Sequence, residues 1–180
     1  LGGGSMNAAN ILKYLIKKNN IKLKRYDIFK ISSKIGSDTI LGLKKSSIMS
    51  KEMRIKYAKL KSPLHLILIK PGFGCSTKYM YSMVKNFSKT KLKLNSNKFL
   101  SLKFLSKLTN DLENPAFQKY PKLKNIKLFV EKLDNILFTR MSGSGSSIVV
   151  YLATKNNAKK AQKLLKKKYK NYWCILSKTI

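Results

Sequence analysis

Apolar and polar positions along this chain follow two rhythms. Over residues 5–18, Ala8, Ala9, Ile11, Leu12, Leu15 and Ile16 recur at the spacing of one helix face, and Asn19-Asn20 ends the run. Residues 25–35 repeat the pattern with Tyr26, Ile28, Phe29 and Ile31, and Gly36 stops it. Residues 39–43 predict a short strand, and the polar stretch 46–61 has room for another around Ile48. Residues 64–70 alternate and are rich in Leu and Ile, which predicts a strand broken by Pro71-Gly72-Phe73-Gly74. Ser76 or Thr77 then caps a helix to about residue 87. Helices are expected over 95–108 and 115–133, the second with Leu123, Ile126, Phe129, Val130 and Leu133 along one side. A strand over 136–140, a glycine turn over 142–145, a strand over 147–153, a helix over 156–170 and a strand over 172–177 complete the chain.

From residue 64 onward the order is strand, helices, strand, helix, strand. That is an α+β arrangement, with helices on one face of an antiparallel sheet. A length of 180 residues with 43% hydrophobic content supports one ordinary domain or two small ones with a packed core. Pro63 and local polarity place the boundary near residues 58–63, which divides the chain into 1–60 and 61–180. No apolar run is long enough to cross a bilayer, and the start is a glycine loop rather than a charged and apolar leader. With Leu at position 1, the chain reads as a truncated or split product.

A net charge of +32 attracts polyanions without base specificity. Only Arg25, Arg54 and Arg140 are arginines, and lysine lacks the planar fork that reads guanine edges. The lysines are scattered among Asn and Ile residues, as a drift of the whole composition would leave them, and Lys166-Lys167-Lys168 reads as a solvated helix face. No dedicated nucleic-acid or membrane function is expected. Cys75 and Cys174 are far apart without metal-ligand spacing, which reads as two reduced thiols in a cytosol-like compartment.

Chemistry concentrates in the glycines. Gly2, Gly3 and Gly4 carry no Cβ, so backbone N–H groups can close on an anion, and Ser5 and Asn7 are helix-capping types at the start of the first helix. Among seven acids, Asp38 alone sits in a Gly-Ser-Asp turn, where a carboxylate can act as a base. Asp27 reads as a first-turn residue compensating the helix dipole, Glu131 and Asp134 as surface residues, and Asp111 as a helix cap or a site residue, the cap being preferred. His65 alternates with Ile67 and Ile69 and reads as packed. Each glycine also fits a plain turn, and Asp38 a plain cap. No Gly-Lys-Ser/Thr loop and no Ser–His–Asp arrangement is present.

Taken together, the segments resemble the GHMP kinases, small-molecule kinases of the galactose, homoserine, mevalonate and phosphomevalonate type. The resemblance spans essentially the whole chain. Leu1-Gly-Gly-Gly-Ser5-Met-Asn7-Ala-Ala9 looks like the second half of the family's ATP loop, and Ile35-Gly-Ser-Asp38 is similar to its Gly-Ser/Ala-Asp. Lys70-Pro71 through Ser76-Thr77 with Tyr81, Asn110-Asp111-Leu112-Glu113, and Met141 through Ser146 match three further segments. The resemblance implies the C-terminal part of a ribosomal-protein-S5-domain-2-like domain, followed by a ferredoxin-like C-terminal domain. It implies ATP and Mg2+ as cofactors, with Gly2, Gly3, Gly4, Ser5 and Asn7 at the phosphates and Asp38 taking the acceptor's proton. Thr77, Tyr81, Gly143, Ser144 and Gly145 would line the acceptor side. The implied acceptor is the small molecule 4-diphosphocytidyl-2-C-methyl-D-erythritol of the non-mevalonate isoprenoid route, phosphorylated at its 2-hydroxyl in a bacterial cytoplasm or a plastid. The family's upstream half of the ATP loop and its cytosine-holding residues lie outside this sequence, so a preceding N-terminal segment is implied as well. Met6 stands where the family has a second serine, and Thr39-Ile40 replaces Val-Pro. Two other readings are a non-catalytic basic binding module of the same fold, and a different kinase of the family, such as one acting on homoserine.

Overall fold

The computed structural model describes residues 3–36, 38–43, 47–49, 55–57, 60, 62–88 and 101–179. The chain divides into two compact units. The first holds three helices, α1 (Gly3–Lys18), α2 (Arg25–Ile35) and α3 (Thr39–Leu43), and a two-stranded antiparallel pair, β1 (Ser47–Met49) and β2 (Ile55–Tyr57).

Helix α1 starts two residues earlier than the pattern predicts, so Gly3 and Gly4 form its first turn. Asp27 Oδ2 accepts the Lys24 N–H at 3.2 Å and closes the entry to α2, and the Gly36 N–H bonds to the Ser32 carbonyl at its exit.

The strand expected over 39–43 is instead α3. The Thr39 N–H bonds to the Gly36 carbonyl at 3.0 Å and the Leu41 N–H to the Asp38 carbonyl at 3.1 Å, which rolls the segment into a turn of helix. Packing decides this against local preference. Thr39 and Ile40 are buried, and a Cβ on Gly42 would lie 2.6 Å from the Ala9 Cβ of α1. Only a glycine allows that approach. The Lys13 ammonium donates to the Gly42 carbonyl at 2.7 Å, satisfying an end that α3 cannot satisfy itself.

The second unit carries β3 (His65–Lys70), α4 (Thr77–Ser82), α5 (Leu102–Ser106), α6 (Glu113–Lys119), α7 (Pro121–Glu131), β4 (Ile136–Met141), β5 (Ile148–Leu152), α8 (Lys155–Lys168) and β6 (Trp173–Lys178). The sheet order is β4-β5-β3-β6 with every pairing antiparallel, the ferredoxin-like βαββαβ topology. Alternation places Ile67 and Ile69 of β3 beside Ile148, Val150 and Leu152 of β5 in one core. The helices cover that face with Leu123, Ile126 and Val130 of α7 and Ala158, Ala161 and Leu165 of α8. Fully burying each large aliphatic side chain contributes about 1.5–3 kcal/mol.

Three expected elements differ in extent. The helix expected over 115–133 is two helices broken at Tyr120 (φ −127°, ψ 78°), because the ring of Pro121 disfavours the helical region for the residue before it. Helix α4 ends at Ser82 rather than near 87, as the Val84 N–H turns back to the Tyr81 carbonyl at 3.3 Å. Of the helix expected over 95–108, residues 102–106 are helical behind the Ser101 cap, and 95–100 lie outside the described residues.

Candidate functional site

The predicted site residues fall in both units, and each group stands on its own geometry. In the first unit Gly3, Gly4 and Ser5 form the first turn of α1. The first four N–H groups of a helix have no partner within it, and the dipole makes that end partly positive. A Cβ added to Gly3 or Gly4 would meet nothing within 4 Å. Gly2 lies outside the described residues, and Asn7 is exposed.

The Ser5 hydroxyl lies 3.8 Å from the position of a Cβ on Gly36, so the turn leading to Asp38 runs beside the first turn of α1. Asp38 is exposed, and its carbonyl takes the first bond into α3. Next to it, Thr39 is fully buried with its hydroxyl unpartnered, an arrangement that costs free energy unless something binds there. Met6, in place of a second serine, has turned toward α3: its Cε lies 2.5 Å from where a Cβ on Gly42 would be. Its role is packing.

In the second unit the 142–146 loop is the centre. Gly143 has φ +54° and Gly145 has φ +93°, conformations that L side chains rarely adopt. A Cβ on Gly145 would lie 2.9 Å from the Met141 sulfur and 3.0 Å from the Cys75 sulfur, so that position is closed on steric grounds as well. The loop folds on itself through Ser142 N–H to Ser147 O at 2.9 Å and Gly145 N–H to Ser142 O at 3.0 Å. At its exit the buried Ser146 hydroxyl donates to the Phe73 carbonyl, and at its tip the Ser144 and Thr77 hydroxyls meet at 2.9 Å. Thr77 and Ser144, distant in sequence, are thus brought together. Tyr81 is exposed one helical turn beyond Thr77, its ring 6.2 Å from that of Phe87.

Burial pushes the Cys75 thiol above its ordinary range, with the Lys70 ammonium pulling the other way. It stays protonated at neutral pH and makes a packing contact rather than a nucleophile. Cys174 is raised for the same reason, with Lys166 opposing.

The preferred reading of Asp111 as a cap is corrected. Helix α6 has no side-chain cap; Asn110 Oδ1 closes a turn ahead of it by accepting the Leu112 N–H at 3.0 Å, while Asp111 Oδ2 accepts the Ser88 N–H at 2.8 Å and hydroxyl at 3.0 Å. Sequence reasoning also missed that Asn110 and Glu113 reach the start of the glycine loop. Both segments stand out in the sequence, but nothing in either states that they meet. A separate cavity of about 420 Å³ lies along β4, lined by Lys127, Glu131, Thr139 and Arg140 among others, and by none of the expected site residues. Its charges are paired internally, Lys127 with Glu113 at 2.7 Å and Arg140 with the Leu105 and Leu108 carbonyls.

Residues 92–171 match the family described as GHMP kinases C terminal. The chain is 51% identical over 181 residues to a 4-diphosphocytidyl-2-C-methyl-D-erythritol kinase of Pelagibacter ubique, an alignment covering 100% of the chain and 64% of that protein. A protein of the same name from Petrotoga mobilis is 37% identical, over 84% of the chain and 62% of the relative. The fold is similar to a crystal structure of 4-(cytidine 5'-diphospho)-2C-methyl-D-erythritol kinase, with a TM-score of 0.74 at 22% identity, covering 100% of this chain and 66% of that one. A homoserine kinase structure from Cytophaga hutchinsonii is also similar, with a TM-score of 0.64 at 14% identity over 92% and 61%. The chain spans just under two thirds of the length of the relatives it matches.

Proposed function

We propose that this chain is a GHMP kinase, whose C-terminal family model matches residues 92–171, and that it phosphorylates the 2-hydroxyl of 4-diphosphocytidyl-2-C-methyl-D-erythritol with ATP. The observation that carries this reading is the 51% identity to the Pelagibacter ubique kinase across the whole chain. The enzyme acts in isoprenoid precursor synthesis in the cytoplasm.

The amides of Gly2, Gly3 and Gly4 and the Ser5 hydroxyl hold the ATP phosphates, with Asn7 beside them at the head of α1. A helix N-terminus whose first turn carries glycines with free space at their Cβ positions is suited to that role. Asp38 orients the acceptor hydroxyl and accepts its proton. The freed oxygen attacks the γ-phosphorus, the bond to the β–γ bridging oxygen breaks, and ADP leaves. Thr77, Tyr81, Gly143, Ser144 and Gly145 hold the acceptor. Positioning and charge stabilisation account for most of the rate.

Among the described residues no three His, Cys, Asp or Glu side chains gather as a metal site. Ser5 and Asp38 are the side chains that would hold Mg2+ beside the ATP phosphates. It would offset the charge of the transferring phosphoryl group.

The test is ATP-dependent phosphorylation of a panel of acceptors by the protein expressed from its complete reading frame. The methylerythritol acceptor should be phosphorylated and homoserine should not. Asp38→Asn should lower kcat by about 10²–10⁴, the usual range for loss of a general base. Unchanged turnover would remove Asp38 from its role, and preference for homoserine would replace the acceptor assignment.

A further inference from the structure

The segment Asn110–Glu113 has no part in phosphoryl transfer as described, yet it grips the chain that carries Gly143–Gly145. The Asn110 carboxamide donates from Nδ2 to the Met141 carbonyl at 2.9 Å and the Gly143 carbonyl at 2.8 Å, while its Oδ1 accepts from the Leu112 N–H. Glu113 Oε1 accepts the Met141 N–H at 2.9 Å, and its Oε2 is held by Lys127 at 2.7 Å. The last residue of β4 is therefore held at both its N–H and its carbonyl by side chains from one short segment. The next two residues begin a turn with two positive-φ glycines, which has little conformational preference of its own.

The chemistry at position 110 is exacting. The site needs two donors for two carbonyls and one acceptor for an N–H, a combination that a carboxamide supplies from one planar group. A carboxylate would face the two carbonyl oxygens with no hydrogen to offer. An alanine would leave the part-buried Met141 carbonyl unpaired.

We propose that Asn110 is a positioning residue of the acceptor group. Its carboxamide sets the entry to the Gly143–Gly145 turn, and so fixes where the Ser144 hydroxyl meets Thr77. The effect on catalysis rests on the kinase reading above; the effect on the turn does not.

The experiment pairs Asn110→Asp with Asn110→Ala in the complete protein. Amide hydrogen exchange at Gly143, Ser144 and Gly145 should quicken at least tenfold in both variants, with Val150 and Ala161 changed less than twofold. Asn110→Asp retains an acceptor for the Leu112 N–H, so the start of α6 should loosen only in Asn110→Ala. In the phosphorylation assay the KM for the acceptor should rise at least tenfold while the KM for ATP holds. Lowering the pH toward 5 should partly restore that KM in Asn110→Asp alone, because a protonated carboxyl regains one donor. Loop exchange within twofold of the wild type would overturn the proposal, as would faster loop exchange with an unchanged acceptor KM. If the wild-type protein phosphorylates nothing, the kinase reading fails, and the exchange data still decide the role of Asn110. Should Asn110→Asp not fold, Asn110→Gln keeps both groups but displaces them by a methylene, and the same loop-exchange criterion applies.

Discussion

Replacing Gly145 by alanine probes the most constrained point in the second unit. Two effects add. A φ of +93° is strained for any residue with a Cβ, at about 1–2 kcal/mol. The new methyl would also lie 2.9 Å from the Met141 sulfur and 3.0 Å from the Cys75 sulfur. Carbon contacts are optimal at about 3.5–4.0 Å, and forcing an extra methyl into a packed site costs about 1–3 kcal/mol. The sum is about 2–5 kcal/mol, a large part of the ~5–15 kcal/mol that stabilises a typical domain. Gly143→Ala is the internal control. Its φ is +54° and a Cβ there meets nothing within 4 Å, so only the dihedral cost of about 1 kcal/mol applies. Urea denaturation followed through the single tryptophan, Trp173 in β6 of the same unit, measures both. Adding Cys75→Ala should recover about 1 kcal/mol in the Gly145→Ala background and none in the Gly143→Ala background. Equal destabilisation by Gly143→Ala and Gly145→Ala would refute the steric half of the reasoning.

Three further outcomes are expected. Gly42→Ala should destabilise the first unit by about 1–3 kcal/mol, since the methyl would meet Ala9 at 2.6 Å, and limited proteolysis within α1 and α3 reads this out. Cys75 should alkylate more slowly than a free thiol at pH 8, and Lys70→Met should slow it further by removing the ammonium charge that favours the thiolate, as followed by mass spectrometry. Burial raises the Tyr151 phenol above its ordinary 10.0 despite Arg140, so the folded state holds that proton more tightly than the unfolded state. Its contribution to stability is full below that value and is lost as pH rises through the folded pKa. Tyr151→Phe should therefore move the midpoint of alkaline unfolding upward, and an unmoved midpoint would clear Tyr151 of any part in it.

The glycine run at the head of α1, the Gly-Ser-Asp turn and the Gly143–Gly145 turn are local features, and each is readable because it depends on missing Cβ atoms or on capping types within a few residues. The family resemblance put Thr77 and Ser144 on one acceptor side, but their hydroxyl contact and the reach of Asn110 to Met141 and Gly143 have no local signature. Those contacts join residues 67, 31 and 33 positions apart, and no short-range pattern encodes how the chain closes on itself.

Periodicity alone specified the elements that bury one face over several turns or alternations: α1, α2, α8, β3 and β5 follow from where Ala, Leu, Ile and Val recur. Tertiary packing decided what was too short to carry a period. Residues 39–43 became helix where Thr39 and Ile40 could be buried and Gly42, without a Cβ, could close on Ala9, whereas the break at Tyr120 is a local effect of Pro121. A repeating pattern reports which face is buried, whereas the identity of the neighbour across that face is set only when segments far apart in the chain come into contact.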